Sequence, residues 1–209
     1  PDDVAYDTST GAVYVTTRYG KQGSPGEAKL LRFNDWRTDN KPAFSTKLCS
    51  LDVEILTRDR TQILFTYSGK QKYIWVGYKD IPVHIYKEKG DSIELYRDFY
   101  EYGKKQRFLG VNRMAVDPVT ENVYVASGDH EIFKLTDWNN PIFSKCSIDV
   151  DAPTSIRYRA DMRSINAGDV TVDPINRYLL ARMQGQSGSR VYRFTLDGQY
   201  HSFVKIDTT

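Results

Sequence analysis

No stretch of this sequence approaches the roughly 18 consecutive apolar residues that a membrane-spanning helix requires. Insertion into a membrane is therefore not expected. Nor does one sign of charge prevail. The 29 basic and 27 acidic residues leave a formal charge of +2, without the basic excess that neutralising a phosphate backbone demands, which argues against nucleic acid as the main partner. Histidine and cysteine are scarce, at three and two residues. His84, His130 and His201 share no spacing with each other, a cysteine or a carboxylate that would suit a zinc site. No segment carries a convincing helical period. The N-terminus Pro1-Asp2-Asp3 has neither a basic region nor an apolar one of the kind a signal peptide shows. A chain that opens without Met, almost directly on a strand, has the form of a mature product, so an extracellular or secreted protein is the expectation.

What the sequence does have is apolar and aromatic material, 40% and 13%, enough to fill substantial cores. That material is arranged in repeats. The clearest copy runs Met114-Ala115-Val116-Asp117-Pro118, Val123-Tyr124-Val125-Ala126, Glu131-Ile132-Phe133-Lys134-Leu135 and Ile142-Phe143-Ser144-Lys145-Cys146. The order recurs from Val4, again from Val170, and in a degenerate form from Ile63. Asp7, Tyr67, Asp117 and Asp173 mark equivalent positions at spacings of 60, 50 and 56 residues. Periods of about 40 to 55 residues are the signature of propeller blades. The expected fold is all-β, a β-propeller of four-stranded antiparallel blades at about 3–50, 61–99, 112–149 and 168–207. These four blades are expected to be part of a six-bladed ring completed by a further segment, with a closed four-bladed ring as the alternative. Within each blade the first two strands are expected to be buried. The outer two should alternate apolar with charged residues, as Leu31 and Phe33 do with Arg32. Asp7-Thr8-Ser9-Thr10-Gly11, Asp117-Pro118-Val119-Thr120 and Asp173-Pro174-Ile175-Asn176 read as tight turns joining the first two strands.

The run 114–135, with Val-Asp-Pro, Val-Tyr-Val-Ala and Ile-Phe-Lys-Leu elements, resembles an NHL repeat, and the last blade is similar to SMP30-like variants. The resemblance implies a six-bladed propeller and is specific for fold, because such families include enzymes, receptors and scaffolds. Asp35-Trp36 and Asp137-Trp138 reverse the Trp-Asp order of a WD40 blade and follow the third strand, which disfavours that family. The SMP30 resemblance also implies an alternative function, a calcium-dependent hydrolase or lyase holding its cation at the starts of inner strands. Counting back four or five residues from the blade anchors gives Asp2, Gln62, Asn112 and Asp169, an oxygen-rich set of the kind calcium prefers. Arg113 beside them opposes a cation.

Cys49 and Cys146 occupy equivalent places in the fourth strands of the first and third blades. A disulfide needs Cα atoms within about 7 Å, so the two are not expected to join. They are free thiols, or each pairs with a cysteine elsewhere. The long connectors at 51–60, 100–111 and 150–167, with the loop at 19–28, fall on one face of a propeller, where binding usually resides. They carry Lys104, Lys105, Arg107, Arg157 and Arg159 among Tyr102 and Tyr158. Arginine and tyrosine are the side chains interfaces favour. The preferred function is accordingly a non-enzymatic binding or structural module that presents this face to a protein or glycan.

Overall fold

The computed structural model describes residues 3–19, 27–39, 41–47, 61–78, 81–98, 111–127, 132–136, 143–146, 166–185 and 188–205. Among them are sixteen strands and no helix. The strands form four antiparallel sheets of four, each a meander in which sequence neighbours pair. The chain divides into two compact units, Pro1–Gln106 and Arg107–Thr209.

The first unit contains two sheets. One comprises β1 (Asp3–Tyr6), β2 (Val13–Tyr19), β3 (Glu27–Phe33) and β4 (Phe44–Lys47); the other β5 (Thr61–Ser68), β6 (Gln71–Tyr78), β7 (Ile81–Lys89) and β8 (Ser92–Asp98). The strand period of two places Ala12, Tyr14 and Leu30 on one face of the first sheet. There they pack with Ile63, Ile74, Val76 and Tyr86 of the second, and Ala5 and Phe65 join the cluster. The Tyr14 and Phe65 rings meet edge to face at 4.9 Å between centroids, the geometry that ring quadrupoles prefer. Trp75 is fully buried, and its indole N–H donates to Thr66 Oγ1 at 2.7 Å, so no polar atom of that ring is stranded.

The second unit repeats the plan with β9 (Val111–Val116), β10 (Val123–Ser127), β11 (Ile132–Leu135) and β12 (Phe143–Cys146), followed by β13 (Asn166–Asp173), β14 (Tyr178–Gly185), β15 (Gly188–Thr195) and β16 (Tyr200–Lys205). Ala115, Tyr124, Ala126 and Ile132 pack with Val170, Leu179, Ala181, Tyr192 and Phe194.

Burial departs from the sequence expectation in the third strands. Val83, His84, Ile85 and Tyr86 of β7 are all buried, as are all four residues of β11, Lys134 included. Alternation fails there because both faces of these strands are covered. In β8 it is broken in the other sense, since Ile93 is buried but Glu94 and Leu95 are both exposed, next to the register shift in its pairing with β7. The inner strand β1 alternates instead of being wholly buried.

Hairpin chemistry follows the backbone. Gly69 and Gly90 take positive φ, 58° and 62°, in the two-residue loops joining β5 to β6 and β7 to β8, where a left-handed residue keeps the loop compatible with strand twist. In the longer turns, the Asp7 N–H donates to Ala12 O and the Gly11 N–H to Asp7 O. Asp117, Asn122 and Glu121 repeat both bonds. The matching left-handed positions are Gly11 (φ 75°) and Glu121 (φ 58°). A side chain there is penalised by contact between Cβ and the carbonyl. Glu121→Gly is therefore expected to raise stability by about 0.5–1 kcal/mol, the relieved strain exceeding the entropy glycine adds to the unfolded chain. Thermal denaturation followed by circular dichroism checks it, and an unchanged or lower midpoint would show that the turn is relaxed with glutamate.

Candidate functional site

The described residues bury four formally charged side chains, Asp7, Lys72, Asp117 and Lys134. All four join neighbouring sheets within a unit.

In the first unit the β1–β2 turn points the Asp7 carboxylate at the β5–β6 hairpin. Oδ1 accepts from Tyr67 OH at 2.6 Å and from the Ser9 N–H and hydroxyl, and Oδ2 accepts from Thr10 Oγ1 at 2.6 Å. Lys72 Nζ lies 2.5 Å from Asp7 Oδ2 and 2.8 Å from Glu88 Oε2, and it donates to Tyr14 OH at 2.8 Å. Tyr14 OH in turn donates to Glu88 Oε1, which also receives Arg32 Nη1 at 2.9 Å. Two carboxylates thus face two cations, and the buried assembly carries no net charge. Burial pushes the Asp7 carboxyl up, but the hydrogen bonds from Lys72, Thr10, Tyr67 and Ser9 outweigh it and hold the group well below the usual carboxylate range. Burial, reinforced by the bond to Glu88, pushes the Tyr14 hydroxyl up. Burial and the bond to Asp7 do the same for Tyr67. These phenols are fixed as donors at neutral pH.

In the second unit the equivalent aspartate meets an arginine. Arg177 Nη1 and Nη2 donate in parallel to Asp117 Oδ1 and Oδ2, both at 2.6 Å, and Thr120 Oγ1 and the Val119 N–H complete the shell. Burial raises the Asp117 pKa, yet the Arg177, Thr120 and Val119 bonds bring it down to about 2. Tyr124, standing where Tyr14 stands in the first unit, donates to Leu196 O at 2.8 Å, and Lys134 Nζ reaches Asp197 Oδ1 at 3.4 Å. The two aspartate clips span the same sequence distance, 60 residues.

The sequence marked Asp7, Tyr67 and Asp117 as equivalent anchors but assigned no task to Lys72, Glu88, Arg32 or Arg177. One signal for them was present: a lysine opening the otherwise apolar run Tyr73-Ile74-Trp75-Val76 has to find a carboxylate.

Of the oxygen-rich set, Asp2 lies outside the described residues. Gln62 is buried in the first unit, and Asn112 and Asp169 belong to the second. Asn112 and Gly168 are the extra residues where the β9–β10 and β13–β14 registers shift, a bulge that re-aims the chain. Asp169 is held by two guanidiniums, Arg182 Nη2 at 3.1 Å and Arg113 Nε at 3.7 Å. A Cβ on residue 168 would come within 3.2 Å of Arg182 Nη2. Two arginines thus flank the carboxylate of the set that is described. Among the described residues no group of three or more His, Cys, Asp or Glu could hold a metal ion. At the opposite end of the first unit, Asp3 uses its carboxylate to cap the Ile63 N–H at 2.7 Å. Of the histidines, His84 is buried in β7, His201 is exposed beside Tyr178, and His130 lies outside the described residues. So do Tyr102, Lys104, Lys105, Arg107, Arg157, Tyr158, Arg159 and Cys49; Cys146 ends β12.

These features define an all-β protein of repeated four-stranded antiparallel sheets, locked in pairs by buried polar clips between turns. No family model matches the chain, and no curated protein does. Among solved structures it is similar to the crystal structure of Chaetomium thermophilum Raptor, with a TM-score of 0.60 and 14% identity over 99% of this chain. The match spans 17% of that protein's chain. At this identity the likeness is one of fold.

Proposed function

We propose that the four sheets are blades of a β-propeller and that the chain is a non-enzymatic binding module. Its loop face, carrying Tyr102, Lys104, Lys105, Arg107, Arg157, Tyr158 and Arg159, receives an acidic glycan or a protein. The observation that supports this reading is the use of the buried charges. Asp7, Lys72, Asp117 and Lys134 are each engaged in holding two sheets together, which is scaffold chemistry. A rigid scaffold with long connectors is the usual arrangement for recognition by loops.

Heparin is a suitable probe for the acidic-glycan form. The wild-type chain should be retained on immobilised heparin at low salt, and the Arg157→Ala/Arg159→Ala double variant should elute earlier with a shallower salt dependence. Tyr158→Ala should cost about 2 kcal/mol if the ring sits at a buried centre. Equal retention of wild type and all variants would remove this face from the assignment.

A further inference from the structure

The first sheet has one face covered and one open. Pairing of Val4 with Val15, Tyr6 with Val13, Val15 with Leu31 and Val13 with Phe33 puts all six side chains on the face opposite Tyr14 and Leu30. Val4 is 58% and Tyr6 56% exposed, and the other four are half-buried. Monomeric proteins rarely leave a contiguous apolar surface of this kind without a partner.

The clips in the two units say what kind of partner fits. In each, the earlier sheet presents a turn aspartate and the later sheet supplies the donor, Tyr67 to Asp7 and Arg177 to Asp117. The later sheet contributes the face turned toward its predecessor. Tyr6 occupies that face of the first sheet at the end of β1, and Tyr67 lies on the corresponding face of the second, one residue before the end of β5. A donor of the right type therefore stands on the open face. The matching acceptor is on the fourth sheet. Asp173 begins its β13–β14 turn at the position of Asp7 and Asp117, and the hydrogen bonds it accepts come from its own turn, the Ile175 and Asn176 N–H groups and Asn176 Nδ2. The fourth sheet's face turned away from the third carries Leu180, Val191 and Val204, the last 59% exposed.

We infer that the open face of the first sheet receives the fourth sheet of a second copy of this chain, with Tyr6 donating its hydroxyl to the partner's Asp173. The contact repeats the chemistry that joins sheets inside each unit. It is heterologous, one surface of one copy against a different surface of the next. The inference rests on the sheet pairing and is independent of what the loop face binds.

Sedimentation velocity of the 209-residue chain over a concentration series tests it. Wild type is expected to self-associate, while Tyr6→Asp and Leu180→Asp, each blocking one surface, are expected to be monomeric. Mixing these two variants leaves one intact surface of each kind and should restore a dimer. Tyr6→Phe, which removes the hydroxyl alone, should raise the dissociation constant by about tenfold. Because Leu180 is half-buried, Val204→Asp serves as a second block at an exposed position, and circular dichroism verifies that each variant is folded. A wild-type monomer throughout the series would overturn the inference. So would a folded Leu180→Asp variant that still dimerises when Tyr6→Asp does not, since the apolar face would then be meeting itself.

Discussion

Replacing Lys72 with methionine is expected to cost the first unit about 3–5 kcal/mol, because breaking a buried ion pair from one side leaves uncompensated charge in the interior. Lys72 and Asp7 expose only 7% and 0% of their side chains, and the same ammonium also serves Glu88. Methionine fills the space beside Tyr14 and Phe65 but cannot donate to either carboxylate. A loss of this size is a large part of the 5–15 kcal/mol that holds a typical domain together. Urea denaturation at neutral pH measures it, and a loss under about 1 kcal/mol would show that water or a shifted Arg32 neutralises the site. The pH dependence should invert. In the wild type Asp7 titrates well below its unfolded value, so its contribution is present above about pH 4 and lost on acidification. In the variant the Asp7 carboxyl is buried with no cation bonded to it, the remaining Arg32 being engaged by Glu88. Its folded pKa then lies above the unfolded one, and lowering the pH relieves the damage. Adding Asp7→Asn to Lys72→Met should recover part of the loss, since Glu88 and Arg32 then remain as a balanced pair.

The second large effect is expected from Arg177→Met, which removes both parallel hydrogen bonds to a completely buried carboxylate. The two partners are unequally placed. The Asp117 side chain is completely buried, whereas that of Arg177 is 38% exposed. Removing the arginine strands a buried carboxylate; removing the carboxylate, as in Asp117→Asn, releases a guanidinium that can turn to water. Arg177→Met should therefore be the more damaging of the two, although both break the same pair. Calorimetric unfolding of both variants tests the order, and a larger loss for Asp117→Asn would assign the main role of Asp117 to its own turn through Thr120 and Val119. With a folded pKa of about 2, Asp117 supports wild-type stability fully above about pH 4, and that support falls away as the pH drops toward 2. Arg177→Met should lose this acid sensitivity.

Much of the strand order was legible because its determinants are local. Alternation, the Asp-containing turns and the repeat spacing each lie within a few residues, and the four meanders follow them. The clips were not legible because they join sheets far apart in the sequence of unit one, Arg32 with Glu88 across 56 residues, Lys72 with Tyr14 across 58, Tyr67 with Asp7 across 60 and Tyr14 with Glu88 across 74. Nothing local distinguishes Glu88 from a solvated carboxylate, or Arg177, at φ 59° in a turn, from any surface arginine. The burial of His84 and Lys134 escaped for a related reason, since charge and polarity outweigh neighbouring hydrophobicity when a strand is read alone. Asp169 was recognised as a polar position at a strand start, but its partners Arg113 and Arg182 come from two other strands and could not be read from its neighbours in sequence.

Asp7 and Asp117 lie 110 residues apart, as do Tyr14 and Tyr124, and each aspartate closes onto a residue 60 positions later within its own half of the chain. Both halves are thus self-contained modules with the same internal fastening, tyrosine with lysine in one and arginine in the other. The same two-sheet plan is used twice along the chain, with a strand residue as donor in one half and a turn residue in the other. It also means that the order of the modules is not dictated by the fastenings. A circular permutant opened between residues 101 and 110 severs neither of them.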